Sequence, residues 1–314
     1  MPTPTNLAKV AGVSAGTALL AFSYPYIAKL SSPILSLVPD FPFADAPFLT
    51  PLFGTSATTE PEPFVCDYSH AYKTELVSLD PLVIYIHELL TPSDIASLIS
   101  TAEPAFAPSE VVKHGRELRT QDRTSSSAGL PRDDPAVACV LARARRFMGT
   151  MMRDGWDDMG PAQLVRYRAG QRFNIHHDWY TMPRPAPASD GSARKWNRVA
   201  SFFAILQDNC TGGETHFPYI GGVAPPSPWG QQAWLGGIEG ERERRSGADG
   251  EVQPLWREHE DGGLAFRPVA GNAIFWVNLH ANGTGDMRTR HAGLPLGDGL
   301  KTAMNIWPRQ YYPS

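Results

Sequence analysis

Beyond Gly160 the chain is a succession of short apolar runs, at 163–167, 173–177, 199–206, 264–268, 273–277 and 302–307, broken by Gly and Pro. Such runs are too short for packed helices, and their spacing predicts antiparallel strands of a sandwich or barrel. Composition agrees, since 29 Pro and 28 Gly suit a turn-rich β architecture better than a helical bundle. A net charge of only −4 and the lack of any Lys/Arg run argue against a nucleic-acid partner.

The region before these strands divides by composition. Residues 10–28 carry no charge and lie between Lys9 and Lys29, close to the ~20 residues that cross a bilayer as a helix. They are rich in Gly, Ala and Ser, with Pro25 near the end. A single-pass signal anchor within 1–30 is the first reading, with a cleaved signal, a presequence or a disordered tail as alternatives. Pro recurs through 31–66, which predicts a stem or linker. Residues 67–160 form a support region of helices and strand, with a buried strand at Pro81–His87. A helix is capped by Thr91 with Pro92 at its first position, and a longer one covers 135–153, its Arg-rich face solvated. The strand-rich core spans 161–311, and its Gly/Pro-rich, charged stretch 218–263 predicts a loop insertion.

Cys66, Cys139 and Cys210 are far apart and include no C-x-x-C pair, which excludes a zinc site. One bridge is possible in an oxidising compartment; three partly buried thiols are the simpler expectation.

The chemistry gathers at His176, His177 and Asp178. On a strand, residues i and i+2 share a face, so His176 and Asp178 project together and His177 projects away. With a histidine from a distant strand they would make a 2-His-1-carboxylate set, typical of non-haem Fe(II) oxygenases. H-x-D alone is a weak signal.

The surrounding blocks add the context. Residues 167–178, YRAGQRFNIHHD, resemble the Y-x-x-G-Q-x-Y-x-x-H-x-D block of prolyl 4-hydroxylases. Then follow RVAS at 198–201 for R-x-A-T, GGETHFP at 212–218 for G-G-E-T-x-F-P, and PVAGNAIFW at 268–276 for P-x-x-G-x-A-x-x-F. HAGLP at 291–295 resembles H-x-x-x-P, with Lys301 ten residues after its histidine. The resemblance covers about 80–310 and implies a mainly β fold with flanking helices, a double-stranded β-helix (jelly roll, cupin-like).

It also implies roles. His176, Asp178 and His291 would hold Fe(II), and Lys301 would pair with the distal carboxylate of 2-oxoglutarate, supported by Tyr167 and Ser201. Arg198, Phe173 and Trp307 fall on the substrate side. The sequence departs from the family pattern at Ser201 (usually Thr), Thr302 (usually Trp) and Phe173 (usually Tyr), which bears on the substrate more than on the metal. His216, His280 and Glu214 read as loop and turn residues. Asn209 and Asn282 head glycosylation sequons, relevant only in the secretory pathway.

The expected activity is hydroxylation of an unactivated C–H bond with O2, with succinate and CO2 as co-products and L-ascorbate to restore oxidised iron. A prolyl residue in a peptide or protein is the first substrate reading. A free amino acid or natural product is the second, and a non-redox cupin-like metalloenzyme the remote third. The expected location is the endoplasmic reticulum membrane with a lumenal catalytic domain, the alternative being a soluble or secreted protein.

Overall fold

Along the strand Ala200–Gly212, successive side chains serve two different cores. Phe202, Ala204 and Leu206 pack into a cluster shared with the helices, while Phe203 and Ile205 pack into a second cluster on the opposite face. A strand buried on both faces needs a layer on each side. In this computed structural model, which describes residues 63–113, 116–118, 120–187, 191–222 and 254–313, those layers are helices on one side and a second sheet on the other.

The larger sheet has eight strands, in the order Lys73–Leu79, Leu82–His87, Ala273–Val277, Ala200–Gly212, Leu296–Ile306, Gln163–Arg168, Ser126–Gly129 and Ala107–Pro108. The smaller has five, in the order Trp256–Glu258, Leu264–Phe266, Thr215–Phe217, His291–Gly293 and Phe173–His176. All neighbours in both sheets are antiparallel. Val165, Tyr167, Phe203, Ile274 and Trp276 of the larger sheet meet Phe217, Trp256, Leu264 and Phe266 of the smaller in one buried cluster. Two facing antiparallel sheets with helices outside make the double-stranded β-helix that was expected.

Two helices cover the outer face. The first, α1 (Pro92–Ala102), starts as its sequence predicts, with Thr91 and Asp94 closing a reciprocal capping box. The second, α2 (Pro135–Met148), is capped by Asp134, whose carboxylate accepts from the amides of Ala136 and Val137. Its basic face is not all solvated as expected. Arg143 is buried and pairs with the equally buried Asp94 at 2.6 Å, donating also to the Leu89 carbonyl. The cap residue of one helix is thus the counter-ion of the other.

The cysteines also depart from expectation: Cys66 and Cys139 are joined in a disulfide, leaving only Cys210 as a free thiol. The bridge ties the chain entering the domain to α2 across 73 residues of sequence. Residues 10–28 and most of 31–66, like 223–253 of the insertion, lie outside the described residues. Among the described residues no helix is long and apolar enough to cross a membrane.

Candidate metal centre and its cavity

The register of the smaller sheet sets His291 directly opposite His176. Their rings lie 4.3 Å apart by centroid, and Asp178 Oδ1 stands 3.7 Å from His176 Nε2 and 4.0 Å from His291 Nε2. The three potential ligand atoms all fall within 4.8 Å of one another. His176 ends its strand and Asp178 follows in a bend. The convergence therefore comes from a turn after the strand rather than from alternation along it.

His177, between His176 and Asp178, is not part of that cluster. It is turned to Trp179, its ring stacked on the indole at 3.8 Å with Nδ1 against the Trp179 carbonyl at 2.8 Å, at the wall of the cavity.

The donor set fits a divalent metal. Nδ1 of His176 lies 2.9 Å from the Asn174 carbonyl, and Nδ1 of His291 lies 3.0 Å from that of Thr289. A carbonyl oxygen only accepts, so both rings carry their proton on Nδ1 and offer the Nε2 lone pair to the centre. Burial, and next the nearness of His291, push His176 down to about 3, so its ring is neutral. Burial alone would raise the Asp178 carboxyl; His291, His176, Arg198 and the Ser201 hydroxyl overcome it and hold the group well below the usual carboxylate range. Asp178 Oδ2 accepts from Ser201 Oγ at 2.7 Å and Trp307 Nε1 at 3.0 Å. Those two donors occupy Oδ2 and leave Oδ1 as the ligand atom. Two imidazole Nε2 atoms and one carboxylate oxygen are the facial set that suits Fe(II) with open positions.

The centre opens on a cavity of about 1260 Å³, lined among others by Tyr167, Phe173, Arg198, Phe203, Thr215 and Trp307. Phe173 lies flat on His176, ring centroids 3.6 Å apart, so the residue standing for the usual Tyr braces a ligand. Arg198 donates to the Asp178 carbonyl at 3.1 Å, and its guanidinium lies 3.8 Å from the Trp307 ring centroid.

Behind Tyr167 and Phe203 lies Lys301, fully buried, its ammonium 5.7 and 5.1 Å from their ring centroids. It donates to the Gly213 carbonyl at 2.6 Å, and among the described residues no carboxylate is within ion-pair distance. Burial pushes it down to about 8. Gly213 itself, at φ +68°, has no room for a side chain, which would run into Leu296.

Two expectations change here. Ser201 serves the carboxylate ligand rather than Lys301: it lies further along the paired strands, opposite Trp276, with its hydroxyl on Asp178. Thr302, adjacent to Lys301 in the strand, faces the opposite side and donates to Gln207, so it leaves the lysine's surroundings untouched. Glu214 pairs with Arg257 at 2.6 Å, and His216 meets the Gly262 carbonyl, both structural as read.

Three residues here went unread in the sequence. Arg123 reaches the cavity from the support region, held by Ser125, the Glu110 carbonyl and Gln163, with Phe173 4.9 Å away. Thr215 lines the cavity from within the G-G-E-T-x-F-P block. Asn278 donates to Ser201 Oγ at 2.9 Å. The only signal for Asn278 is a polar residue directly after an apolar strand, and for Arg123 there is none.

Residues 162–309 match the model of the 2OG-Fe(II) oxygenase superfamily. Those residues form a 2OG-Fe(II) oxygenase domain. This oxygenase is 26% identical over 243 residues to prolyl 4-hydroxylase 1 of Arabidopsis thaliana, covering 76% of the chain and 72% of the relative. It is likewise 26% identical to prolyl 4-hydroxylase subunit alpha-3 of Homo sapiens, of which it spans 38% against 78% of its own length. Among solved structures, the viral collagen prolyl hydroxylase of Paramecium Bursaria Chlorella virus-1 in its 2OG complex superposes with a TM-score of 0.47 at 19% identity, over 73% of this chain and 96% of that one. The chain is a 2-oxoglutarate-dependent dioxygenase, which removes the non-redox cupin-like alternative.

Proposed function

We propose that this dioxygenase hydroxylates prolyl residues in a peptide or protein, with Fe(II) held by His176, Asp178 and His291. The observation that carries the chemistry is the convergence of those three ligand atoms within 4.8 Å. Bound there, Fe(II) with 2-oxoglutarate and O2 supplies the oxidant for an unactivated C–H bond, with succinate and CO2 as co-products.

The residues of the chain do the rest. Asn174 and Thr289 fix the imidazole tautomers, and Ser201 and Trp307 fix the carboxylate. Lys301 would receive the distal carboxylate of 2-oxoglutarate, since an ammonium has three donors and only one is used on Gly213. A buried cation costs free energy until an anion joins it. Tyr167 is paired with Lys301 across the strands, and its hydroxyl lies near Gly293, two residues after His291. Arg198, Trp307 and Arg123 form the walls on which a substrate backbone would rest.

A cavity of about 1260 Å³ exceeds the ~300–1,000 Å³ of small-molecule sites, which favours a peptide over the second reading, a free amino acid. The curated relatives' names point the same way. The test is 2-oxoglutarate turnover by the full chain with proline-rich peptides and free amino acids in parallel. Stimulation by free amino acids alone would reverse the order of the two readings. Dependence on ascorbate is part of the proposal, and the same assay without ascorbate checks it.

A lumenal location in the endoplasmic reticulum is also proposed, with 10–28 as the anchor. The Cys66–Cys139 disulfide supports it, because such bonds persist in oxidising compartments.

A further inference from the structure

The two glycosylation sequons stand in opposite structural settings. Asn209, Cys210 and Thr211 lie inside the long strand Ala200–Gly212, where Asn209 is paired opposite Leu300. The Thr211 hydroxyl there accepts from the Asp298 amide at 2.9 Å, and Cys210 is half-buried. The Asn209 side chain is exposed, but the backbone and the Thr211 hydroxyl of that sequon are held in the extended ladder.

Asn282, Gly283 and Thr284 instead form the tip of a tight turn closed by a bridge between Leu279 and Gly285. The His280 amide donates to the Thr284 carbonyl, and the Gly283 amide to the His280 carbonyl, both at 2.8 Å. Gly283 sits at φ +81°, a conformation in which a side chain is strained. Asn282 is exposed, and its Oδ1 accepts from Thr284 Oγ1 at 2.6 Å and from the Thr284 amide at 3.0 Å. The carboxamide oxygen is thereby occupied twice, and Nδ2 is the group with no partner among the described residues.

We infer that Asn282 is an N-glycosylation site and Asn209 is not. The inference rests on the lumenal reading above. In the transfer, a bond forms between Asn282 Nδ2 and C1 of a lipid-diphosphate-linked oligosaccharide. The bond from C1 to the diphosphate oxygen breaks, the lipid diphosphate leaves with the electron pair, and Nδ2 gives up one proton. Asn282 is not among the residues lining the cavity, although Met287, Arg290 and His291 further along the chain are. The glycan therefore stands clear of the chemistry, and N282Q retains the turnover of the unmodified protein.

The experiment is translation of the full chain with endoplasmic reticulum microsomes, followed by protease protection, endoglycosidase treatment and thiol alkylation. A single endoglycosidase-sensitive mobility step is expected, lost in N282Q and in Thr284→Ala. Thr284→Ser restores it, because the hydroxyl is what the turn requires, and N209Q leaves it in place. A protected chain with the Cys66–Cys139 bridge formed but no step overturns the assignment of Asn282 and leaves the lumenal reading standing. An accessible chain with no bridge overturns both. Loss of the step in N209Q, with retention in N282Q, places the glycan on the strand instead and sinks the inference.

Discussion

Ser201 Oγ lies 2.7 Å from Asp178 Oδ2 and receives the amide N–H of Asn278 at 2.9 Å. An Nδ2 group only donates, so the hydroxyl accepts from Asn278 and its single proton is aimed at the carboxylate. Ser201→Ala removes one of the two donors that hold Oδ2 and leaves Oδ1 less firmly presented. Groups of this kind are worth roughly 10–100-fold in metal affinity. The expected result is weaker Fe(II) binding in equilibrium dialysis of Ser201→Ala, with recovery in Ser201→Thr. Equal affinity in Ser201→Ala and wild type would show that Trp307 alone suffices.

His176→Ala, Asp178→Ala and His291→Ala each remove a ligand atom and should each abolish Fe(II)-dependent succinate formation. His177→Ala keeps all three and loses the stack on Trp179 and the hydrogen bond to its carbonyl, so iron binding should persist while turnover falls modestly. Metal content by mass spectrometry, taken beside the activity, separates the two classes. A metal-free His177→Ala protein would count His177 as a ligand.

How much of this was legible in the sequence depends on how each residue reaches the site. His176, Asp178, His291 and Lys301 sit in blocks of close spacing, and strand pairing in the fold then sets His176 opposite His291. Ser201 was legible as a hydroxyl but not by partner, because a position in a motif does not say which end of a strand pair it occupies. Arg123 and Asn278 act through tertiary contacts with no local pattern. The α2 arginines carry the same lesson: Arg143 is buried because Asp94 of α1 meets it, a pairing that helical periodicity does not reveal.

The Cys66–Cys139 bridge closes a long loop between the chain entering the domain and α2. Closing such a loop restricts the unfolded chain, and its removal costs about 2–5 kcal/mol. Cys139→Ser should therefore lower the urea midpoint, with a steeper slope as the unfolded chain opens further. An unchanged midpoint would mean that the bridge adds nothing that helix packing does not already supply.

Lys301 offers the sharpest test of how the co-substrate is held. Its ammonium is buried, donates to the Gly213 carbonyl, and is pushed by burial down to about 8. Pairing with a carboxylate requires the protonated form, so 2-oxoglutarate affinity should be flat below about pH 8 and fall as the pH rises above it, while the bound anion raises the lysine in the complex. Lys301→Ala leaves that carboxylate buried without a counter-charge, and breaking one side of such a pair costs ~3–5 kcal/mol. That corresponds to a loss of roughly two to three orders of magnitude in affinity. Iron binding should survive, since its ligands are untouched. Lys301→Arg should recover only part of the loss, because a planar guanidinium does not fit a space shaped by Tyr167, Phe203 and Gly213 around an ammonium. Anaerobic titration of 2-oxoglutarate into Fe(II)-loaded protein, followed by its metal-to-ligand absorption across pH 6–10, reads all of these. Equal affinity in wild type and Lys301→Ala, or no fall above pH 8, would assign the carboxylate to another cation in the cavity, with Arg123 the next to test.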